Sequence, residues 1–286
     1  MVLTSSRAFS TQENRSESLK TRQPNRENFA LSSGAGKAAE GVSKLLFILA
    51  STDRLSLLSE ISVRKQRLTD LSKTIGASAQ ECSRHLARLS SEGLIVKGSD
   101  SLYETTALGK AMQRILPSVE FLLRNRDTFI SHDLSFLPAS FVERIGDLSS
   151  GKYVNHLSQV LEHIKATISG ARDHVWLISD QPIVVGEIGA SFYSRDIPVR
   201  LISEPTVDPK LLREIRKALP RSEFGAVQDV KVAMAMNEKF AGVCFPGLDA
   251  EIDFSAGFAG GGDQFRAWCE DLFEYYWSKS RKVALF

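Results

Sequence analysis

Residues 76–105 read GASAQECSRHLARLSSEGLIVKGSDSLYET, and the order of signals in them decides how the first part of the chain folds. Gly76-Ala77-Ser78 interrupts a helical pattern. Ser78 is the residue type that starts the next helix by accepting a free backbone N–H. From Ala79 to about Glu92 the apolar residues Cys82, Leu86 and Leu89 share one helix face. Gly93 ends that helix. LIVKGSDSLYETT, residues 94–106, follows as strand, turn, strand, with Gly98-Ser99-Asp100 supplying the turn.

The neighbours fit this reading. Val42, Leu45, Leu46 and Leu49 make an apolar stripe after Ala39. Asp53 is expected to cap a second helix carrying Leu55, Leu57, Leu58 and Ile61. Arg67-Leu68 opens a third, with Leu68, Leu71 and Ile75 on one face. Thr106 starts a long helix through about Asn125, its apolar side formed by Leu108, Met112, Ile115, Leu116, Val119 and Leu122. Helix, three-residue turn, helix and two-stranded ribbon is the order of a winged helix-turn-helix.

The second helix of that unit then has a face to spare. Opposite Cys82, Leu86 and Leu89 stand Gln80, Arg84, Ala87, Arg88 and Ser91, with Ser83 beside them. Arg can donate two hydrogen bonds to guanine, and Gln can pair with adenine. Ser78, Ser83 and the helix N-terminus can meet phosphates. Lys97 and Ser99 belong to the wing. A charged helix face is ordinarily just solvated. Here the turn, helix and wing come in the right order and length, and only Glu81 and Glu92 flank the face with acid. The DNA-binding candidates are therefore Ser78, Gln80, Ser83, Arg84, Arg88, Lys97 and Ser99, with double-stranded DNA as the partner.

Charge agrees mildly. The chain of 286 residues has a net charge of +2. Residues 41–110 hold ten Lys/Arg against seven Asp/Glu, whereas residues 111–286 hold twenty against twenty-three. A surplus this small permits nucleic-acid binding without demanding it. The three cysteines, Cys82, Cys244 and Cys269, are scattered, which fits a reducing cytoplasm better than a disulfide framework. No membrane-length apolar run and no signal-peptide core is visible. Residues 1–38 are too polar to fold and read as a disordered tail.

After Tyr153 the rhythm changes. A helix, HLSQVLEHIKATISG, leads to strands at 174–179 and 198–203, with a helical stretch near 183–193 between them. DPKLLREIRKALP is a helix opened by Asp208 and stopped by Pro220. Strands at 230–236 and 240–245 are linked by Asn237-Glu238-Lys239. Strand–helix–strand order argues an α/β unit with a partly parallel sheet. The last helix carries Phe265, Trp268, Cys269, Leu272, Phe273 and Tyr276 as one stripe.

Two stretches resemble known regulators. LASTDRLSLLSEISVRKQRLTDLSKTIGASAQECSRHLARLSSEGLIVK (49–97) resembles the winged helix of arsenical-repressor-type and related archaeal regulators. GVCFP (242–246), EIDFSAGF (251–258) and FRAWCEDLFEYYW (265–277) resemble the C-terminal domain of archaeal regulators related to the methanogenesis regulatory protein. The likeness spans about residues 41–286. It implies an archaeal, cytoplasmic transcription regulator, and implies nothing about whether the host makes methane.

Catalytic patterns are poor. His163-Ile164-Lys165 begins like the phospholipase D motif, but Gly170 stands where that motif has Asp. Gly257, Gly260, Gly261 and Gly262 lack the Lys-Ser/Thr of a phosphate loop and read as a flexible loop. Cys82 sits on the core side of its helix, His156 and His163 make only a pair, and Cys244 with Cys269 could act as a redox pair only if the fold joined them. No cofactor or metal is expected. Trp176, Arg200, Cys244, Phe245 and Trp268 are candidate walls of an effector pocket, with Arg195 and Arg200 able to receive an anion; all of them equally suit a plain core or solvated charge.

The expected architecture has two domains, mixing α+β and α/β. A disordered tail (1–38) precedes a winged helix-turn-helix (39–106). A linker and dimerisation helix region (107–150) leads to a C-terminal α/β sensor-like domain (151–286). The expected function is a homodimeric DNA-binding transcription regulator answering to an unknown small-molecule effector. An enzyme on the α/β domain and a protein-interaction scaffold are the alternatives.

Overall fold

The computed structural model describes residues 33–180, 197–206, 210, 213, 216, 217 and 220–283. The helix expected near 183–193, most of the one expected from Asp208, and the tail through residue 32 lie outside the described residues.

Four helices, α1 (Ser33–Leu49), α2 (Thr52–Val63), α3 (Leu68–Ile75) and α4 (Ala79–Ser91), precede an antiparallel ribbon of β1 (Ile95–Lys97) and β2 (Tyr103–Thr105). α1 starts at Ser33 rather than Ala39, so the helix begins ahead of its apolar stripe and residues 33–38 belong to it instead of to a disordered tail. α2 is capped by Ser51, whose hydroxyl accepts the Arg54 N–H at 3.5 Å, and not by Asp53 as expected. Asp53 is already inside the first turn.

α3 and α4 end alike. Gly76 and Gly93 take φ of +65° and +69°, a left-handed conformation that costs glycine little. The Ala77 N–H then reaches Ser72 O and the Leu94 N–H reaches Leu89 O, both at 3.0 Å, closing each helix sharply. Leu57, Leu58, Leu71, Cys82, Leu86, Leu89 and Leu94 are wholly buried beneath the turn. Burial stabilises by roughly 1.5–3 kcal/mol per large aliphatic side chain. Buried Arg54 donates to the carbonyls of Ile48 and Phe47, closing the last turn of α1 with a cation where the helix dipole favours one.

α5 (Ala107–Arg124) is held at both ends. Near its start Thr106 Oγ1 accepts the Gly109 N–H at 3.1 Å, and a Cβ on Gly109 would stand 2.1 Å from the Leu94 carbonyl oxygen. Towards its end Phe121 enters the core of the following sheet. The segment 126–150, read as a mixed connector, folds as α6 (Arg126–Ser131), α7 (Ala139–Glu143) and a 3-10 turn (Ile145–Ser150). Leu137, Phe141, Ile145 and Leu148 from it are core residues.

Eight strands form one sheet: β3 (Lys152–Val154), β4 (Val175–Ile178), β5 (Val199–Ser203), β6 (Ser222–Ala226), β7 (Ala233–Met236), β8 (Ala241–Cys244), β9 (Gly257–Gly260) and β10 (Arg281–Lys282). The spatial order is β10-β6-β5-β4-β7-β8-β9-β3, with β4, β5 and β6 parallel and the other pairs antiparallel. α8 (Leu157–Gly170) covers one face through Ile164 and Ile168, against Val175, Leu177, Val199 and Leu201. α9 (Asp263–Lys279) covers the other with Phe265, Trp268, Cys269, Leu272, Phe273 and Tyr276, the stripe read from the sequence.

Gly257–Gly260 corrects the flexible-loop reading: it is a fully buried strand. A Cβ on Gly257 would meet Cys244 Sγ at 2.7 Å, and one on Gly260 would meet Gly151 Cα at 2.8 Å. Glycine here permits close strand approach instead of a bend.

Candidate nucleic-acid interface

The sequence builds this surface through α4. Ser78 and Glu81 form a reciprocal cap: the Glu81 N–H donates to Ser78 Oγ at 3.2 Å, and the Ser78 N–H donates to Glu81 Oε2 at 3.1 Å. The Ser78 hydroxyl also donates to Glu81 Oε2 at 2.9 Å. Hydrogen bonds from the Ser78 hydroxyl and amide hold the Glu81 carboxyl below its ordinary range, with Arg84 adding to them. An ionised carboxylate therefore already sits at the α4 N-terminus. Ser78, expected among the phosphate contacts, has its hydroxyl committed to the cap.

With Cys82, Leu86 and Leu89 buried, the rotation of α4 is fixed. Gln80, Ser83, Arg84, Ala87, Arg88 and Ser91 are all exposed on the outer side. Among the described residues neither Arg84 nor Arg88 stands in an ion pair. Arg88 does face another cation. Burial chiefly, and then the Arg88 charge, lowers the pKa of Arg54 below its ordinary value. On the wing, Lys97 and Ser99 are exposed, with Lys97 Nζ 5.8 Å from the centre of the Tyr103 ring. The tight turn is closed by Ser101 N–H to Gly98 O at 3.0 Å.

His85, left open between phosphate contact and burial, turns inward. Its Nε2 lies 3.5 Å from Asp53 Oδ2 on α2, and its Nδ1 is buried without a hydrogen-bond partner. The sequence reading missed this pairing because Asp53 and His85 are distant in sequence.

The candidate effector wall does not assemble. Alternation along the strands sends Val243 to the α9 face and Cys244 to the α8 face, so Cys244 and Cys269 lie on opposite sides of the sheet. A redox pair between them is thereby ruled out. Burial also pushes the Cys244 thiol to about 12, and raises those of Cys269 and Cys82. Trp268 is core: it has no exposed surface and donates Nε1–H to Phe141 O at 3.1 Å. Arg195 lies outside the described residues. Phe245 and Trp268 meet edge to face inside the core, ring centres 6.3 Å apart, while Trp176 and Arg200 stay together in a surface cleft at the start of β4, β5 and β6. Among the described residues no group of three or more His, Cys, Asp or Glu could hold a metal ion. No helix of the described residues is long and apolar enough to cross a membrane.

No family model matches the chain. The methanogenesis regulatory protein FilR1 of Methanothrix harundinacea is 23% identical over 263 residues, covering 84% of this chain. The chain spans 58% of that relative's length. Among solved structures, the archaeal chromatin protein TrmBL2 matches 86% of this chain and all of its own, at 12% identity and a TM-score of 0.39. NolR from Sinorhizobium fredii matches 31% of this chain and 93% of its own, at 22% identity and a TM-score of 0.29. With scores below 0.5, the fold assignment rests on the elements and registers described above. In sequence, across most of its length, this chain resembles an archaeal methanogenesis regulatory protein.

Proposed function

We propose that this chain is a DNA-binding transcription regulator. The observation that carries the reading is the outward face of α4, where Gln80, Arg84 and Arg88 stand exposed on a helix locked by fully buried Cys82, Leu86 and Leu89. In this reading α4 enters the major groove. Arg84 reads a base edge, Gln80 and Ser83 lie beside it, and Arg88, Lys97 and Ser99 meet phosphates. Ser78 contributes by fixing where α4 begins.

The working form is a homodimer. α1 leaves Leu46 and Phe47 59% and 70% exposed, and α5 leaves Ile115 and Leu123 51% and 67% exposed. Two helices of one fold presenting apolar faces suit a second copy of the chain. Residues 39–106 act as the DNA-binding unit, 107–150 as linker and dimer element, and 151–286 as the unit that receives an effector. An effector acts only by binding one dimer geometry better than another. The relative's name, a regulatory protein, supports this reading.

The test is binding of the purified chain to a library of genomic duplex fragments. Enrichment of a two-fold related sequence supports the reading. Uniform retention of all fragments contradicts it.

A further inference from the structure

The two faces of the eight-stranded sheet are filled differently. Across β7, β8 and β9 the register sets Met234, Val243 and Phe258 in one row, and all three face α9. One residue along, on the α8 face, the matching row is Ala235, Gly242 and Ala259. The helices above differ too. From α9, Phe265, Trp268, Cys269, Leu272 and Phe273 close down on the sheet with no exposed surface left. α8 brings Val160, Ile164 and Thr167, all short and β-branched, over methyl groups and a hydrogen.

Short side chains on both sides leave a cavity between α8 and strands β4, β7, β8 and β9. Its inner volume is about 40 Å³, and about 630 Å³ with the open mouth included. One water needs roughly 10–15 Å³, so the inner part holds a group of several atoms. The wall is reachable from within. Leu177, Leu201, Ala233, Ala235, Cys244 and Ala259 each keep 4–6% exposure beneath α8, whereas the α9 residues named above keep none. Gly242 is only half-buried, although β8 is flanked by β7 and β9.

The backbone does not require glycine at that position. A Cβ on Gly242 would meet its nearest atoms, Phe258 O and Ala259 Cβ, at 3.6 and 3.7 Å, which is ordinary contact. Gly257 and Gly260 on the next strand have no such room. A glycine weakens the strand that carries it. An unforced one in the cavity wall fits a space kept for an occupant.

The wall decides what that occupant is. Among the described residues, no Lys, Arg, Asp or Glu lines the cavity. Burial pushes the Cys244 thiol up to about 12, so it stays neutral. A charged ligand would lose its hydration here without gaining a partner. The polar side chains are few: His163, Thr167 and Ser179. His163 is half-buried and stacks on Phe240, ring centres 5.8 Å apart. Apolar cavities of this kind take compact hydrocarbon groups.

We infer that the cavity between α8 and the sheet binds a small uncharged apolar molecule, a compact aromatic or branched aliphatic group held against Ala235, Gly242 and Ala259. Its use as an effector rests on the regulator reading. The binding itself is measured without DNA and stands or falls apart from that reading.

The experiment is calorimetric titration of the full chain, free of DNA, with toluene, with 2-methylpropan-1-ol and with benzoate. Saturable binding of toluene or the alcohol is expected, with benzoate weaker by about tenfold or more. Gly242→Ala fills part of the space without a clash. Its thermal midpoint should hold or rise while affinity for the neutral probe falls by about tenfold or more. Adding Ala235→Val to it should abolish binding. No saturable binding of either neutral probe, benzoate bound as tightly as toluene, or full affinity in both variants overturns the site. A lowered midpoint in Gly242→Ala does the same, because the methyl would then have no free space to enter.

Discussion

Ser118 Oγ accepts the N–H of Gly146 at 3.1 Å while its own proton goes to the carbonyl of Glu143 at 2.6 Å. A Cβ on Gly146 would stand 2.6 Å from the Pro117 carbonyl carbon, so backbone meets backbone at this joint. At the other end of α5, Gly109 lies closer still against the Leu94 backbone. One helix is therefore clamped to the helical unit by its first turn and to the sheet unit by its last two.

Removing the clamp has a definite cost. Ser118→Ala leaves the buried Gly146 N–H and the Glu143 carbonyl without this partner, so unfolding by denaturant should show a loss of about 1–3 kcal/mol. Stability within a few tenths of wild type would mean water replaces the hydroxyl.

Arg84→Ala should weaken binding to a selected operator by about 1–3 kcal/mol and relax preference at one base position. Titrating operator and scrambled duplexes in parallel checks this. Equal losses on both duplexes would move Arg84 to the backbone.

Arg88→Ala or Lys97→Ala should lower affinity for all duplexes alike and flatten the dependence of log affinity on log salt by roughly 1. A loss confined to one base position would contradict the phosphate assignment.

Leu123→Glu and Ile115→Glu change exposed positions, so the fold should hold. Sedimentation should show the dimer dissociation constant raised by about tenfold or more if these residues meet a second copy. A wild-type chain that sediments as a monomer at all concentrations would end the dimer reading.

Acid should loosen the β8–β9 connection. Burial alone pushes the Asp253 carboxyl up, but the Ser255 hydroxyl and amide and the nearby His132 outweigh it, leaving the group below its ordinary value. His132 Nε2 lies 3.2 Å from Asp253 Oδ2 and ties the end of α6 to this loop. A carboxyl lowered by folding adds stability above its unfolded pKa of ~3.9, and that stability drains as pH falls through the folded value. Denaturant unfolding at stepped pH should show this acid limb shrink in Asp253→Asn. An unchanged acid limb in that variant would remove Asp253 from the effect.

The helix-turn-helix was legible because its signals are local: Gly76, Ser78, Gly93 and a three-residue apolar stripe lie within twenty positions. α9 was legible for the same reason, through its long stripe. Other features depend on partners far away in the chain. Gly257–Gly260 reads as a loop until β3 and β8 are seen on either side of it. Cys244 and Cys269 look like partners until strand alternation separates them. Trp268 reads as a pocket wall, yet its indole N–H is spent on Phe141.

Selection of genomic duplexes by the purified chain, compared with the Arg84→Ala variant, tests the DNA reading most directly. The expected result is one enriched motif with two half-sites about one helical turn, ~34–36 Å, apart, and loss of that enrichment in the variant. Retention of every duplex alike by the wild-type chain, or the same motif at full strength with Arg84→Ala, would contradict it.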